Sequence, residues 1–194
     1  MKNRVVFLDR DGTINIEKNY LYRIEDFEFI PGAEKAISML NRSGYQVVVV
    51  SNQAGVARGY YTVKDVEKLH NFINMRLKDY GAHIDQFFFC PHHPEAGLGE
   101  YKIDCNCRKP KIGMFLQAEK IYQVDKNHSW MIGDNTSDIK AGQRYGIRTI
   151  LVKSGYGKEV IKKREICPDY IKKDLYEAVC FILNMEGDND KVKY

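Results

Sequence analysis

One stretch decides the fold: Arg4-Val5-Val6-Phe7-Leu8-Asp9-Arg10-Asp11-Gly12-Thr13. Its apolar residues predict a short buried β-strand, which runs directly into two aspartates and a glycine. Asp9 and Asp11 are two positions apart, so in an extended chain their side chains point the same way. Carboxylates held so close repel each other unless they share a cation or a proton. The strand end is therefore a candidate metal or acid–base site, with a solvated Asp-rich turn as the alternative.

Strand and helix patterns alternate along the rest of the chain. Short apolar runs predict strands at about 4–9, 46–51, 86–90, 129–133, 148–152 and 170–171, and helical periodicity falls at about 32–43, 62–80, 112–123, 137–145 and 174–184. Thr62 and Asp65 form a capping pattern at the start of one helix. Such alternation is typical of right-handed βαβ units. We therefore expect an α/β protein, a Rossmann-like three-layer sandwich with a mainly parallel sheet.

Length and composition fit a soluble globular protein. The chain has 194 residues, of which 44% are hydrophobic and 29% charged. We expect one domain over residues 1–185 and a flexible polar tail over 186–194. No apolar run has the length of a membrane span or a signal sequence, so the predicted location is the cytoplasm, with no membrane contact.

The net charge of +4 is spread along the chain. Its densest cluster, Lys158–Arg164, is interpreted as a solvated helix face, since binding to a polyanion needs many basic groups on one surface. We therefore expect no nucleic-acid partner. The sequence has no evident oligomerisation stripe, so a monomer is predicted.

Three of the predicted strands end in polar residues. Asp9, Ser51 and Asp134 each follow an apolar run, and in open α/β sheets ligands bind at the carboxyl ends of the strands. Asp9, Asp11 and Asp134 would form an oxygen-rich site that suits Mg²⁺ where a phosphate shares the coordination. Ser51 and Lys109 would then offer a hydroxyl and a positive charge to a phosphoryl group. This combination favours phosphate chemistry.

A second constellation lies in the predicted loop 90–107. It consists of Cys90, His92, Cys105 and Cys107, with His93 as a spare histidine. Three thiols and one imidazole at this spacing suit a closed, tetrahedral structural zinc site. A disulfide, which a reducing cytosol disfavours, and unligated thiols are the alternatives. Cys167 and Cys180 are interpreted as small buried residues.

The candidate residues together carry a resemblance. Asp9-x-Asp11-x-Thr13, Ser51, Lys109 and Gly133-Asp134-x-x-x-Asp138 resemble the four motifs of the haloacid dehalogenase superfamily of phosphotransferases in type, order and spacing. The resemblance implies that Asp9 attacks phosphorus to form an aspartyl-phosphate. It implies that Asp11 acts as the acid and then as the base. Mg²⁺, Lys109 and Ser51 would neutralise the phosphoryl oxygens.

The residues of the predicted zinc loop favour one family within this superfamily. Three segments are similar to the family of D-glycero-D-manno-heptose-1,7-bisphosphate 7-phosphatases of nucleotide-activated heptose biosynthesis, namely Ser51-Asn52-Gln53-Ala54-Gly55-Val56-Ala57-Arg58-Gly59, Cys90-Pro91-His92-His93-Pro94 and Cys107-Arg108-Lys109-Pro110. The similarity implies a sugar bisphosphate substrate. The implied substrate contacts are Glu17, Lys18, Asn19, Tyr20, Ser51, Asn52, Gln53 and Arg108. Arg108 would hold the second phosphate through a bidentate guanidinium while Lys109 serves the phosphate being cleaved, or it would be a plain surface cation.

Other functions stay open at this point. Histidinol-phosphate phosphatases share much of the pattern, although the interval between their paired zinc ligands is typically shorter. A polynucleotide 3′-phosphatase would use the same core, but the chain lacks an aromatic and basic strip that tracks a nucleic-acid backbone. A non-catalytic, zinc-stabilised binding module is the third alternative.

Two further residues qualify the resemblance. Asn135 stands where some heptose phosphatases carry a lysine, so no sugar anomer is predicted. Asp138 would orient Lys109 or a metal-bound water, or else serve as a helix first-turn acid. No folded insertion follows the first or second strand. We therefore expect a capless member of the superfamily, with an open site that loops enclose.

Overall fold

The apolar runs form one parallel sheet. The strands of the computed structural model are β1 (Val5–Leu8), β2 (Gln46–Asn52), β3 (Gln86–Cys90), β4 (Trp130–Gly133), β5 (Arg148–Val152) and β6 (Tyr170–Lys172). Their order is β3-β2-β1-β4-β5-β6, and every neighbouring pair is parallel. The structure describes residues 2–191, with only the backbone of residues 187–191. The predicted α/β class and parallel sheet are confirmed.

Helices connect the strands on both faces. They are α1 (Ala33–Arg42), α2 (Ala54–Ala57), α3 (Val63–Lys78), α4 (Gly113–Tyr122), α5 (Thr136–Tyr145), α6 (Gly157–Lys163) and α7 (Leu175–Lys191). Short 3₁₀ turns lie at Gly99–Tyr101 and Lys126–His128. At the start of α3, the Thr62 hydroxyl accepts from Asp65 N and the Asp65 carboxylate accepts from Thr62 N, so the predicted capping box is confirmed.

The last helix continues beyond its predicted end near residue 184. An ion pair between Arg4 and Glu186, with an N–O distance of 2.5 Å, connects this end of α7 to the start of β1. The tail predicted for residues 186–194 therefore falls partly in helix. Residues 192–194 lie outside the described part of the chain.

The sheet separates two apolar cores. Alternate side chains of β1 and β2 enter opposite cores: Val6, Leu8, Val47 and Val49 on one face, and Val5, Phe7, Val48 and Val50 on the other. Helices α1, α3 and α7 cover the first core, and α4 and α5 cover the second. Burial on both faces explains why these strands read as continuous apolar runs rather than alternating ones.

The strand order places the polar strand ends together. The chain runs from β1 outward through β2 to β3 and then returns to β4 on the other side of β1. Such a reversal opens a crevice at the carboxyl ends of the two central strands. Asp9 follows β1 and Asp134 follows β4. The connection 9–32 from β1 to α1 contains no helix, which agrees with the predicted capless arrangement.

Two remaining expectations concern membranes and cysteines. Within residues 2–191, no helix combines the length and the apolar character that crossing a membrane requires. The five cysteines form no disulfide. Cys180 is partly buried, but Cys167 is exposed, so its predicted burial is wrong. Cys167 lies at the surface before β6, where its main-chain carbonyl accepts from Gln143 Nε2 at 2.7 Å.

Candidate active site

A buried lysine holds the first carboxylate after β1. Lys109 Nζ lies 2.8 Å from Asp9 Oδ1 and 2.7 Å from Asp138 Oδ1, and it donates to the carbonyl of Val50 at 2.6 Å. Burial disfavours the charged amine, but the charges of Asp138 and Asp9 outweigh it and raise the pKa of Lys109. Lys109 is therefore a fixed cation beside Asp9. Asp138 is its second counterion, which is one of the three roles expected for it, and its Oδ2 also accepts from Asn135 N at the start of α5.

The main chain of Lys109 is also held in place. The side-chain amide of Asn52 donates to Lys109 O and accepts from Lys109 N, both at 3.0 Å. Asn52 ends β2, so this strand end positions the lysine directly. Ser51, one residue earlier, is buried, and its hydroxyl accepts from Gln53 Nε2 at 2.8 Å.

Three carboxylates converge at the sheet edge. One oxygen from each of Asp9, Asp134 and Asp138 lies within 4.8 Å of the others. Burial raises the pKa of Asp9 to about 7, with Asp138 and Asp11 adding to the shift and Lys109 opposing it. Burial and the charges of Asp9 and Asp138 also raise the pKa of Asp134. Buried oxygens that repel one another are the donor set that a hard cation such as Mg²⁺ stabilises, so the residues fit that ion.

The side chain of Asp11 faces a different set of partners. Its carboxylate accepts from Arg10 Nη2 at 2.9 and 3.0 Å, from Gln53 Nε2 at 3.0 Å and from Asn15 Nδ2 at 3.0 Å. The carboxylate of Asp11 is thus not part of the group formed by Asp9 and Asp134.

Two adjoining cavities open above these residues. The first, of about 320 Å³, is lined by Asp9, Asp11, Glu17, Ser51, Asn52, Arg108, Lys109, Asp134, Asn135, Ser137 and Tyr156. The second, of about 330 Å³, is lined by Asp11, Glu17, Asn19, Tyr20, Asn52, Gln53, Ala54, Tyr61, Arg108, Asn135 and Tyr156. Both have the size of small-molecule sites. Arg108 lines both cavities, whereas Lys109 lines the first.

Most of the predicted substrate contacts line these cavities, but Lys18 does not. Lys18 Nζ donates to the carbonyl of Asp26 at 2.7 Å and lies 3.5 Å from Glu28, so the side chain is directed to its own loop. Glu17 faces both cavities, and burial followed by the charge of Asp11 raises its pKa. Its carboxylate accepts from Asn19 N at 2.6 Å, which shapes the loop around the cavity.

The thiols and imidazole of loop 90–107 also come together. The three pairs among Cys90, Cys105 and Cys107 have Sγ–Sγ distances of 3.1 to 3.4 Å, and His92 Nδ1 lies 3.4 Å from Cys107 Sγ and 3.7 Å from Cys90 Sγ. Hydrogen bonding between Cys90 and Cys107 raises the pKa of the former and lowers that of the latter to about 5. His93 is directed elsewhere, since its Nδ1 accepts from the amides of Glu95 and Ala96.

This cluster is connected to the cavities. Arg108 Nη1 donates to the carbonyl of His92 at 3.2 Å, and Leu98 N donates to Ala57 O at 2.8 Å. The first contact orients a cavity-lining guanidinium, and the second ties the loop to α2. The loop therefore supports a cavity-lining residue, Arg108, and is attached to the domain rather than forming a separate module.

Two further residues at the site, Tyr156 in the cavities and the buried Arg10 behind them, were not predicted from the sequence. Tyr156 lines both cavities, its amide donates to Asp134 Oδ2 at 2.7 Å, and its hydroxyl donates to Asn19 Oδ1 at 3.1 Å. It lies shortly after β5, a fourth strand end on the same edge, and that position was the available signal. Arg10 was also missed, although it sits between two candidate site residues in the chain.

A parallel sheet with strand-end carboxylates and a buried lysine defines a phosphoryl-transfer hydrolase of the haloacid dehalogenase-like class. The HAD-hydrolase-like family profile matches residues 106–178. The D-glycero-beta-D-manno-heptose-1,7-bisphosphate 7-phosphatase of Haemophilus ducreyi is 41% identical over 94% of this chain and 100% of its own length. The chain belongs to the D-glycero-D-manno-heptose-1,7-bisphosphate 7-phosphatase family, as its sequence motifs predicted.

Further relatives agree with this family. The D-glycero-alpha-D-manno-heptose-1,7-bisphosphate 7-phosphatase of Photorhabdus laumondii is 46% identical over 80% of this chain and 85% of its own length. Among solved structures, the D,D-heptose 1,7-bisphosphate phosphatase of B. bronchiseptica, complexed with magnesium and phosphate, has a TM-score of 0.85 and 28% identity. That match covers 94% of this chain and 99% of the other.

Proposed function

We propose that the protein is a magnesium-dependent phosphatase that removes the 7-phosphate of D-glycero-D-manno-heptose 1,7-bisphosphate. The observation that carries the proposal is the pair of adjoining cavities, with Lys109 beside Asp9 in the first and Arg108 reaching into the second. A bisphosphate needs a reacting position and a holding position, each with a cation. The names of the relatives support the same substrate.

The first step transfers the phosphoryl group to Asp9. One Asp9 oxygen forms a bond to phosphorus while the bond from phosphorus to the sugar O7 breaks, and the proton of a protonated Asp11 moves to O7. Lys109 and the Ser51 hydroxyl face the phosphoryl oxygens and stabilise their negative charge. The products of this step are the sugar alcohol and an aspartyl-phosphate.

The second step restores the enzyme. Water forms a bond to phosphorus, the bond from phosphorus to Asp9 breaks, and a proton of the water moves to Asp11. The sum is hydrolysis of a phosphate monoester to an alcohol and inorganic phosphate. Asp9, Asp11 and Asp134 would hold Mg²⁺, and the bound ion would supply positive charge to the phosphoryl group.

Arg108 is proposed to hold the phosphate that does not react. Its guanidinium can form two parallel hydrogen bonds to phosphate oxygens. The contact to His92 O orients it from the loop side. Glu17, Asn19, Tyr20 and Gln53 line the space between and are proposed to contact the sugar hydroxyls.

We also propose that Cys90, His92, Cys105 and Cys107 bind a structural Zn²⁺. The short sulfur–sulfur distances and the position of His92 Nδ1, 3.4 Å from Cys107 Sγ, support a ligand set of this kind. All four positions are filled by protein ligands, which is typical of structural rather than catalytic zinc. The reduced cysteines agree with a cytoplasmic location, where we propose that the protein acts as a monomer in heptose biosynthesis.

The proposed function is tested by phosphate release in the presence of Mg²⁺. The substrates are both anomers of heptose 1,7-bisphosphate, histidinol phosphate and an oligonucleotide with a 3′-phosphate, since the relatives are named for both anomers. We expect one heptose anomer to have a kcat/KM at least about a hundredfold higher than the two other substrate classes, or about 2.7 kcal/mol of transition-state binding. Asp9→Asn is the control and should have no turnover.

Two results would contradict the proposal. If histidinol phosphate or the oligonucleotide has a higher kcat/KM than the heptose bisphosphate, the protein is a phosphatase with a different substrate. Full turnover by Asp9→Asn would exclude the aspartyl-phosphate step.

A further inference from the structure

Arg10 is a buried cation next to the proposed acid–base residue. Its side chain has no exposed surface, whereas the side chain of Asp11 is 17% exposed and reaches the cavity. A guanidinium cannot lose its proton, so when buried it requires a counterion and hydrogen-bond acceptors. Asp11 is that counterion, at 2.9 Å.

The contacts of Arg10 fix the carboxylate of Asp11. Arg10 Nε and Nη2 donate to Asp11 Oδ1 at 3.1 and 3.0 Å, and Nη2 also donates to Oδ2 at 2.9 Å. A planar fork that contacts both oxygens sets the orientation of a carboxylate more tightly than a single point charge does. Lysine could supply the charge of Arg10 but not this geometry.

Arg10 is itself held from helix α3. Its Nη1 lies 3.4 Å from Nε2 of His70, which stacks on Phe87 with ring centroids 4.3 Å apart. His70 is buried and uncharged, because burial, followed by the positive Arg10, lowers its pKa to about 2. Since a guanidinium only donates, we assign Nε2 as the acceptor and place the imidazole proton on Nδ1.

A third contact leads to the loop around the second cavity. Arg10 Nη2 donates to the carbonyl of Leu21 at 2.9 Å. Leu21 follows Asn19 and Tyr20, which line that cavity. Arg10 thus touches the acid–base residue, helix α3 and the cavity loop at once. Gln53 joins the same network, since its Oε1 accepts from Arg10 at 3.3 Å and its Nε2 donates to Asp11.

We propose that Arg10, braced by His70 and the carbonyl of Leu21, is a positioning residue that aims the carboxyl group of Asp11 at the leaving oxygen of the substrate. The proposal rests on the proposed function insofar as Asp11 acts there as acid and base. Arg10 does not touch the substrate. It acts by holding Asp11 in line for a proton transfer.

Comparing two leaving groups tests the proposal, because a purely structural role of Arg10 would affect both esters equally. When the ester is an alkyl phosphate, its leaving oxygen needs the Asp11 proton as the bond to phosphorus breaks. Nitrophenolate is a weak base and leaves without that proton. A misaligned Asp11 should therefore slow the first step for the sugar phosphate and leave it nearly unchanged for para-nitrophenyl phosphate.

The experiment compares wild type with Arg10→Lys on both esters, using steady-state turnover and rapid mixing. We expect Arg10→Lys to lower kcat on the heptose bisphosphate by about a hundredfold, within the range of general acid catalysis. With para-nitrophenyl phosphate, nitrophenol should appear in a burst of nearly wild-type rate. A slow phase follows, because hydrolysis of the aspartyl-phosphate still needs Asp11 as base.

Two further variants separate positioning from folding. His70→Phe keeps a ring against Phe87 but removes the acceptor for Arg10, and it should give a smaller loss with the same preference for the aryl ester. In an Asp11→Asn background, adding Arg10→Lys should lower alkyl-ester turnover no further, because the two residues act as one unit. Urea unfolding of each variant monitors the fold.

Equal losses in the rate of the first step on both esters, measured by rapid mixing, or losses that multiply in the double variant, would overturn the proposal. Failure of the proposed function gives a different result, since wild type would then hydrolyse histidinol phosphate or the oligonucleotide with a higher kcat/KM than the heptose bisphosphate. The comparison is in that case made with histidinol phosphate, which is also an alkyl ester.

Discussion

Two glycines let Asp134 approach the chain. A Cβ atom on Gly12 would lie 2.3 Å from Asp134 Oδ2, and one on Gly155 would lie 2.1 Å from the same oxygen. Both residues also have positive φ, +76° and +54°. Asp134 has little freedom to move away, because it is buried and its Oδ2 accepts from Tyr156 N at 2.7 Å. Each glycine therefore keeps open a space that the carboxylate occupies.

Replacing Gly155 tests this account through the metal. We predict that Gly155→Ala displaces Asp134 and raises the Mg²⁺ concentration for half-maximal activity by about ten- to a hundredfold, as for other supports of a metal ligand. The activity at saturating Mg²⁺ should fall much less. Phosphate release measured over a Mg²⁺ titration gives both quantities.

A second glycine serves as the matched control. Gly146 has φ +86° and no atom within 4 Å of an added Cβ. Gly146→Ala should lose about 1–2 kcal/mol of stability from the left-handed backbone alone, with an unchanged Mg²⁺ dependence. The same Mg²⁺ dependence in both variants would refute the role assigned to Gly155.

At the scale of the elements, loop 90–107 has little regular structure of its own. Apart from the 3₁₀ turn Gly99–Tyr101 it has no helix, and Leu98 and Ile103 on it are exposed. Its contacts include the cluster of thiols and imidazole, the bonds from Leu98 and Arg108, and a bond from Gly113 N to Asn106 O at 2.9 Å. Loop order should therefore depend on the proposed zinc ion, because a metal bridge replaces the missing apolar core.

Removing one thiol tests this dependence. We predict that Cys105→Ser loses the bound zinc and that trypsin then cleaves after the exposed Lys102 on the order of ten times faster, since local unfolding exposes the loop. The far-ultraviolet circular dichroism should stay near that of wild type, because the sheet and its helices pack elsewhere. KM should rise, since Arg108 loses its oriented partner at His92.

Cys167→Ser is the control for that measurement. Cys167 is exposed and lies outside the cluster, so its replacement should keep one zinc ion per chain and wild-type cleavage. Equal cleavage rates in the two variants, or a wild-type protein without zinc in metal analysis, would exclude a zinc-supported loop.

At the scale of the whole molecule, much of the fold was predictable because the two central strands are apolar on both faces. Alternation with helical periods then required a parallel sheet, and strand positions agree to within one or two residues. Helix α2 was not predicted, since four residues carry too little periodicity to detect. Helix α7 passes its predicted end because its polar last turns include the ion pair of Glu186 with Arg4, a contact 182 residues apart in the chain.

The same distinction applies to the site: positions at strand ends could be predicted from the sequence, and contacts between distant residues could not. Asp9, Ser51 and Asp134 could be placed together because each follows a strand, and strand ends share one edge. The contact between Arg10 and His70 joins residues 60 positions apart, so no local pattern encodes it. Lys18 was predicted to contact the substrate, but its ammonium donates to the carbonyl of Asp26 instead. This contact forms only in the folded loop, so no local sequence pattern shows it.

Folding stability at acid pH is a property of the whole molecule to which His70 contributes. Its pKa is about 2 in the folded protein, against 6.5 for an ordinary histidine, because burial and Arg10 disfavour the charged ring. As the pH falls through 6.5, the unfolded chain binds a proton at His70 and the folded protein does not. The contribution of His70 to stability must therefore decrease as the pH falls below about 6.5, since at this residue the unfolded state binds more protons.

We predict that His70→Gln makes the protein less sensitive to acid, because glutamine does not titrate and still offers an oxygen to Arg10. Between pH 6.5 and 5, wild type should lose about 2 kcal/mol more unfolding free energy than the variant, at about 1.4 kcal/mol per pH unit. Urea denaturation at several pH values measures the difference. His83→Gln removes an exposed imidazole and should follow the wild-type profile. If His70→Gln also follows it, His70 must bind its proton in the folded protein as readily as in the unfolded chain.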